Sequence, residues 1–187
     1  MNSVLLLVDI QNDYFPGGAM ELHRSEEAGK RASNLLQAFR ERGLPVVHVR
    51  HVSNRPGAAF FLPGTRGAEI HEMVRPLQGE QVFVKHFPNS FRETPLKGYL
   101  RGLAPERLVI AGMMTHMCID TTVRAASDLG FTCTLAGDAC ATRDLSFGGE
   151  PVPAEMVQAA FLAALNGSFA QVKTVKEICA SLTSVNP

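Results

Sequence analysis

Short apolar runs of strand length alternate with helix-length amphipathic segments along the whole chain. More than any other feature, that alternation limits what it can fold into. SVLLLV (3–8) reads as a buried strand ending at Asp9, PVVHVR (45–50) as a second, and QVFV (81–84) as a third ending at Lys85. RLVIA (107–111), FTCTLA (131–136) and AQVKT (170–174) complete a set of six. Between them, a helix capped by Ser25 runs to about Arg42 and stops at Gly43. Thr94-Pro95 starts another helix, with a capping hydroxyl and Pro at the first helical position. Further helices span Thr115 to Asp128, closed by Gly130, and Pro153 to about Asn166. Thr174 and Glu177 have capping-box spacing for a last helix. Continuous apolar strands joined by helices predict an α/β chain whose parallel sheet is covered on both faces, a three-layer sandwich. With 187 residues and neither repeat nor linker, one domain spanning residues 1–187 is expected. The one long irregular stretch, 51–65, holds Pro56, Gly57, Phe60, Phe61, Pro63 and Gly64. Its length predicts a functional loop or lid.

Charge narrows the partners. Eighteen Lys and Arg balance eighteen Asp and Glu, so nothing favours nucleic acid or an anionic membrane. The cysteines at 118, 133, 140 and 179 lack CxxC spacing, which argues against a disulfide framework or a structural zinc and predicts a reducing compartment. The apolar run Val4–Val8 is too short for a signal peptide or a membrane span, so a cytoplasmic protein is expected.

In open α/β sheets, ligands bind beyond the carboxyl ends of the strands. Three reactive residue types fall at that edge: Asp9, Lys85 and Cys118. Most cysteines in soluble domains are structural. Cys118, however, stands at a strand-to-helix elbow in the first turn of a helix, where free N–H groups favour a thiolate, and is read as a nucleophile. Asp9 alone is compatible with a general base, a metal ligand or a turn former, and Lys85 alone with a solvated surface lysine. If the second strand separates the first and third, Lys85 must reach across roughly 9–10 Å, which an extended Lys hydrogen-bonded to Asp can do. Beside Cys118 it would lower the thiol pKa and orient the carboxylate.

With these positions in view the chain resembles the isochorismatase-like cysteine hydrolases, the family that contains nicotinamidases and N-carbamoylsarcosine amidohydrolase. The resemblance rests on LLLVDIQNDYF at the start, FLPGTRGAEI (61–70), VFVKHFPNSF (82–91), RLVIAGMMTHMCIDTTVRAASDLGF (107–131) and LAGDACATRD (135–144), in that order. It implies a six-stranded parallel sheet of order 3-2-1-4-5-6. It also implies a catalytic triad of Asp9 as proton carrier, Lys85 as charge support and Cys118 as the nucleophile that forms a thioester. A cis peptide at Met113–Met114 is implied as well, aiming the N–H of Met114, with that of Cys118, into an oxyanion hole. The family's Asp-x-His metal motif is missing, since the segment reads HVRHVSNRPG (48–57). No metal or other cofactor is therefore expected, with His51 and His86 lining the pocket and His48 and His71 structural. Nicotinamide becomes a poor substrate expectation. Cys118 argues against the vinyl-ether cleavage of isochorismatase proper, which lacks the cysteine.

The expected substrate pocket comprises Phe15, His51, Phe60, Phe61, His86, Asn89, Ser90 and His116, with Phe87 and Phe91 flanking it. The function expected is hydrolysis of a linear or cyclic amide, a carbamoyl group or a related C–N bond in a small molecule. The resemblance also implies a homo-oligomer, a dimer or tetramer. Two readings from other classes stand beside it. One is a catalytically silent binding or scaffold protein, which would not need all three triad residues. The other is a thiol redox protein, which would need Cys133 or Cys140 to approach Cys118 in space.

Overall fold

The structure, a computed structural model, describes residues 2–182. Its centre is a six-stranded parallel sheet of β1 (Ser3–Val8), β2 (Val46–His51), β3 (Gln81–Lys85), β4 (Arg107–Met113), β5 (Cys133–Ala141) and β8 (Gln171–Lys173). Their order is β3-β2-β1-β4-β5-β8. This is the expected order. The sixth sheet strand is the eighth in the chain because β6 (Leu145–Phe147) and β7 (Glu150–Val152) form a separate antiparallel hairpin. Every residue of β1 and of β4 is buried, as the middle of a doubly covered sheet requires. Alternate side chains of β1 enter opposite cores: Leu5 and Leu7 face α1 (Ser25–Glu41) and α5 (Val175–Ala180), meeting Leu35, Phe39 and Ile178. Val4, Leu6 and Val8 face α2 (Leu96–Leu103), α3 (Asp120–Asp128) and α4 (Ala154–Leu165), meeting Leu100, Val123 and Leu165.

Several local expectations are corrected. Strand five begins at Cys133 instead of Phe131 and continues to Ala141, carried by a register shift between Ile110 and Gly112 on its neighbour. The hairpin leaves little periodicity in the sequence because its strands are three residues each, although Gly148-Gly149 between them is a hairpin signal. Ser25 is the first residue of α1 and does not cap it; Arg24, in the left-handed region, precedes it. Pro95 is the N-cap of α2, and the Thr94 hydroxyl donates to the Ser90 carbonyl instead of capping. The helix after β4 opens as one π-helical turn, Thr115–Ile119, before α3 begins. The Thr174–Glu177 capping box forms as predicted.

Two features set the carboxyl edge of the sheet. Gly112 of β4 pairs with Val8 of β1, and a Cβ on it would stand 1.9 Å from the Val8 carbonyl oxygen. Its φ of 144° is likewise closed to L side chains. Only glycine therefore lets the two strands converge beside Asp9. The β2–β3 connection is pinned by two side chains from the turn after β1. Gln11 donates to the carbonyls of His51 (2.8 Å) and Ala68 (2.9 Å) and accepts from the His51 N–H (2.7 Å). Asp13 accepts from the Phe61 N–H (2.6 Å). Among the described residues no helix is long and apolar enough to cross a membrane.

Candidate active site

Asp9, the residue after β1, has a φ of 52°, a left-handed conformation uncommon for a non-glycine residue. This turns the chain at the sheet edge while its carboxylate stays fully buried. Lys85 ends β3, two strands away, and its side chain crosses the end of β2 to reach Asp9. Cys118 lies in the π turn after β4, and its residue is 5 % exposed. The three side chains meet. Lys85 Nζ is 2.6 Å from Asp9 Oδ2, 3.0 Å from the Phe87 carbonyl, 3.1 Å from His51 Nδ1 and 3.2 Å from Cys118 Sγ. An ammonium has three protons, so these four acceptors compete. A neutral thiol is the weakest of them, and a thiolate would be among the strongest.

The electrostatics differ from expectation at one point. Burial pushes the Cys118 thiol well above the usual range, the Asp9 carboxylate adds to that, and Lys85 only partly offsets them. Lys85 does not, then, yield a resting thiolate. Burial would pull Lys85 itself down, but Asp9 and Cys118 outweigh it and leave the ammonium above its ordinary value. His51 is held down at about 4, by burial first and the Lys85 charge second, so its ring is neutral at neutral pH. The resting arrangement is a neutral thiol beside a carboxylate–ammonium pair. One oxygen of that carboxylate, Oδ1, is sealed from solvent without a hydrogen-bond partner among the described residues. Such an atom is costly unless it has a proton to take.

Cys118 and His51 open onto a cavity of about 640 Å³, with Asp9 and Lys85 buried behind them. His51, Phe60, Phe61 and His86 line it, as does the flanking Phe87. Tyr14, Arg55, Met114 and Met117 also face it; no spacing argument singled out Tyr14, although it lies within the quoted opening motif. Other expected pocket residues lie elsewhere. Phe15 stacks on His71 at 3.7 Å between ring centroids. Asn89 accepts from the Phe91 N–H, and the fully buried Ser90 hydrogen-bonds to the Thr122 hydroxyl at 2.9 Å. The His116 ring bonds to Thr142 Oγ1 (2.5 Å) and meets the Phe161 ring edge-on. None of these four lines the cavity, because each side chain is satisfied by its own neighbourhood. Of the remaining histidines, His48 bonds to Glu80 at 2.9 Å and His71 accepts from the Met73 N–H.

The Met113–Met114 peptide is cis. The Met114 carbonyl accepts from the N–H groups of Met117 (3.1 Å) and Ile119 (3.2 Å). The first wide turn thus closes at Ile119, which places the Cys118 N–H ahead of the helical ladder. As to metals, ligand atoms of Asp9, His51 and Cys118 lie within 4.8 Å of one another. Lys85 Nζ, however, is already bound among all three. The set does not fit a resident divalent ion, which would have to displace a buried ammonium.

The chain is similar to known proteins along nearly its whole length. The Isochorismatase domain family matches residues 3–177. An isochorismatase family protein of Bacillus subtilis, YddQ, is 52 % identical over 94 % of this chain and 98 % of its own length. The crystal structure of an isochorismatase hydrolase from Oleispira antarctica superposes with a TM-score of 0.93 at 50 % identity, covering 96 % of this chain and 97 % of that one. Streptothricin hydrolase of Streptomyces noursei is 34 % identical over 81 % of this chain and 55 % of its own length. A domain match over nearly the whole sequence, together with a near-superposable fold, makes this chain a member of the isochorismatase family of hydrolases.

Proposed function

We propose that the protein hydrolyses an amide-type C–N bond of a small molecule through a thioester on Cys118. The observation that carries this reading is the buried Lys85 ammonium, 2.6 Å from Asp9 Oδ2 and 3.2 Å from the Sγ of Cys118, which lines the cavity. Because the resting thiol is neutral, attack and deprotonation are coupled. Asp9 takes the thiol proton as Sγ bonds to the substrate carbonyl, and Lys85 holds the charge that passes between carboxylate and sulfur. The carbonyl oxygen becomes an oxyanion, which the N–H groups of Met114 and Cys118 stabilise; donors of this kind contribute about 3 kcal/mol each. The C–N bond then breaks, the leaving nitrogen takes the proton from Asp9, and the acyl group remains on Cys118. Water attacks the thioester and gives a proton to Asp9, which returns it to Sγ as the acid departs. Atoms balance: amide and water yield acid and amine.

The similarity to streptothricin hydrolase supports hydrolysis of a small-molecule substrate. The deciding experiment measures amine or ammonia release over a panel of small amides, lactams and ureides, with wild type and Cys118→Ala. Intact-mass spectrometry after rapid acid quench should show the acyl adduct on wild type alone. Turnover that survives Cys118→Ala would sink the covalent mechanism.

A further inference from the structure

Two ring-proton assignments follow from which atoms the histidines touch. An ammonium only donates, so His51 Nδ1, 3.1 Å from Lys85 Nζ, must accept, and the ring proton of neutral His51 is on Nε2. A carbonyl only accepts, so His86 Nδ1, 2.7 Å from the Val52 oxygen, must donate; in neutral His86 the bare nitrogen is Nε2. The two rings are therefore opposite tautomers. Neither Nε2 has a protein partner among the described residues, yet neither belongs to the buried, unsatisfied atoms. Both residues line the cavity, and neither Nε2 is sealed from solvent. His51 also holds a ligand atom within 4.8 Å of Cys118 Sγ, next to where a carbonyl would be attacked.

We infer that His51 and His86 form a donor–acceptor reader beside the nucleophile. It selects substrates that carry, next to the scissile amide, a second neutral group offering both an acceptor (for His51 Nε2–H) and a donor (for His86 Nε2). Amides, ureides and cyclic lactams have that pattern, whereas alkyl chains and carboxylates do not. This inference rests on the hydrolase reading and names its substrate class. The physical basis of selection is the asymmetry of hydrogen bonding: a partially buried polar group left unpaired by the wrong substrate costs more than the bond contributes with the right one. The low value of about 4 for His51, set by burial and by Lys85, keeps it a neutral donor throughout the neutral range. The Phe61 ring, 5.8 Å from the His51 ring, limits its freedom to turn away.

The test begins without turnover. A long-range proton–nitrogen correlation spectrum of the histidine-labelled protein at neutral pH reads each tautomer directly. The expected result is an Nε2–H form for His51 and an Nδ1–H form for His86. Malonamide is then titrated into Cys118→Ala, with butyramide as the control that lacks the second amide. Malonamide should move the Nε2 signals of both rings and butyramide neither. In wild type, kcat/KM should favour malonamide over butyramide by roughly tenfold or more, the worth of a matched hydrogen bond. That preference should collapse in His86→Phe. Identical tautomers in the two rings, a charged ring at neutral pH, or equal responses to the two probes would overturn the inference. These outcomes are distinct from loss of the hydrolase reading, which is judged by Cys118→Ala turnover alone.

Discussion

Replacing Asp9 with Asn tests the energetic core of the site. Asp9 and Lys85 are both fully buried and 2.6 Å apart, so the substitution keeps shape while removing the only carboxylate among the described residues in contact with Lys85 Nζ. Breaking a buried pair from one side typically costs about 3–5 kcal/mol, because the surviving charge is left without compensation. An upper limit follows independently. A lysine of ordinary pKa can lose its proton at neutral pH for about 4.6 kcal/mol (roughly 3.4 units at about 1.36 kcal/mol each), so the cost cannot exceed that by much. Urea denaturation should show the loss as a lower midpoint at unchanged m-value. Under the proposed mechanism, which makes Asp9 the proton carrier, kcat should fall at least about a hundredfold. Lys85→Met removes the charge from the other side. The double variant, Asp9→Asn with Lys85→Met, should be more stable than Asp9→Asn alone, since it buries no uncompensated charge. The reasoning fails if Asp9→Asn costs under about 1 kcal/mol, or if the double variant loses the sum of the two singles.

Other consequences follow from the same geometry. Cys118 in the free protein should react with iodoacetamide along a profile whose midpoint lies above the free-thiol value of ~8.5, since burial and Asp9 both hold its proton on; a midpoint below that value would contradict the resting-thiol assignment. Cys133 and Cys140 are also raised by burial, each to about 12. With native values above unfolded ones, the unfolded chain loses these protons first. Stability should therefore be intact below about pH 8.5 and fall as pH rises above it, by up to ~1.4 kcal/mol per unit for each thiol, in chemical denaturation under reducing conditions. Gly112→Ala forces a Cβ to within 1.9 Å of the Val8 oxygen at a φ of 144°, and should lower stability by more than ~3 kcal/mol or prevent soluble expression. Asp13→Ala releases the Phe61 N–H that holds one cavity wall; KM should rise several-fold with kcat less affected, and an unchanged KM would show that the wall holds itself.

The amino-acid sequence determined the sheet, its helices and the three residues at its carboxyl edge, because strand and helix periods and the order of motifs are local properties of the chain. Asp9, Lys85 and Cys118 were each legible as residues ending a strand or opening a helix. Phe60, Phe61, His51 and His86 were legible as companions because they lie on segments that leave that same edge. Chain proximity misled where the direction of a side chain decides. Asn89 and Ser90 follow Lys85 closely, and His116 precedes Cys118 by two residues, yet each turns to a partner outside the cavity. The tertiary structure alone decided the state of the thiol. A lysine beside a cysteine suggests a thiolate, but full burial and a carboxylate in the same contact shell reverse the sign, and burial is not a local property. It also decided which histidine donates and which accepts. That depends on an ammonium arriving from β3 and a carbonyl following β2, brought together only when the sheet closes.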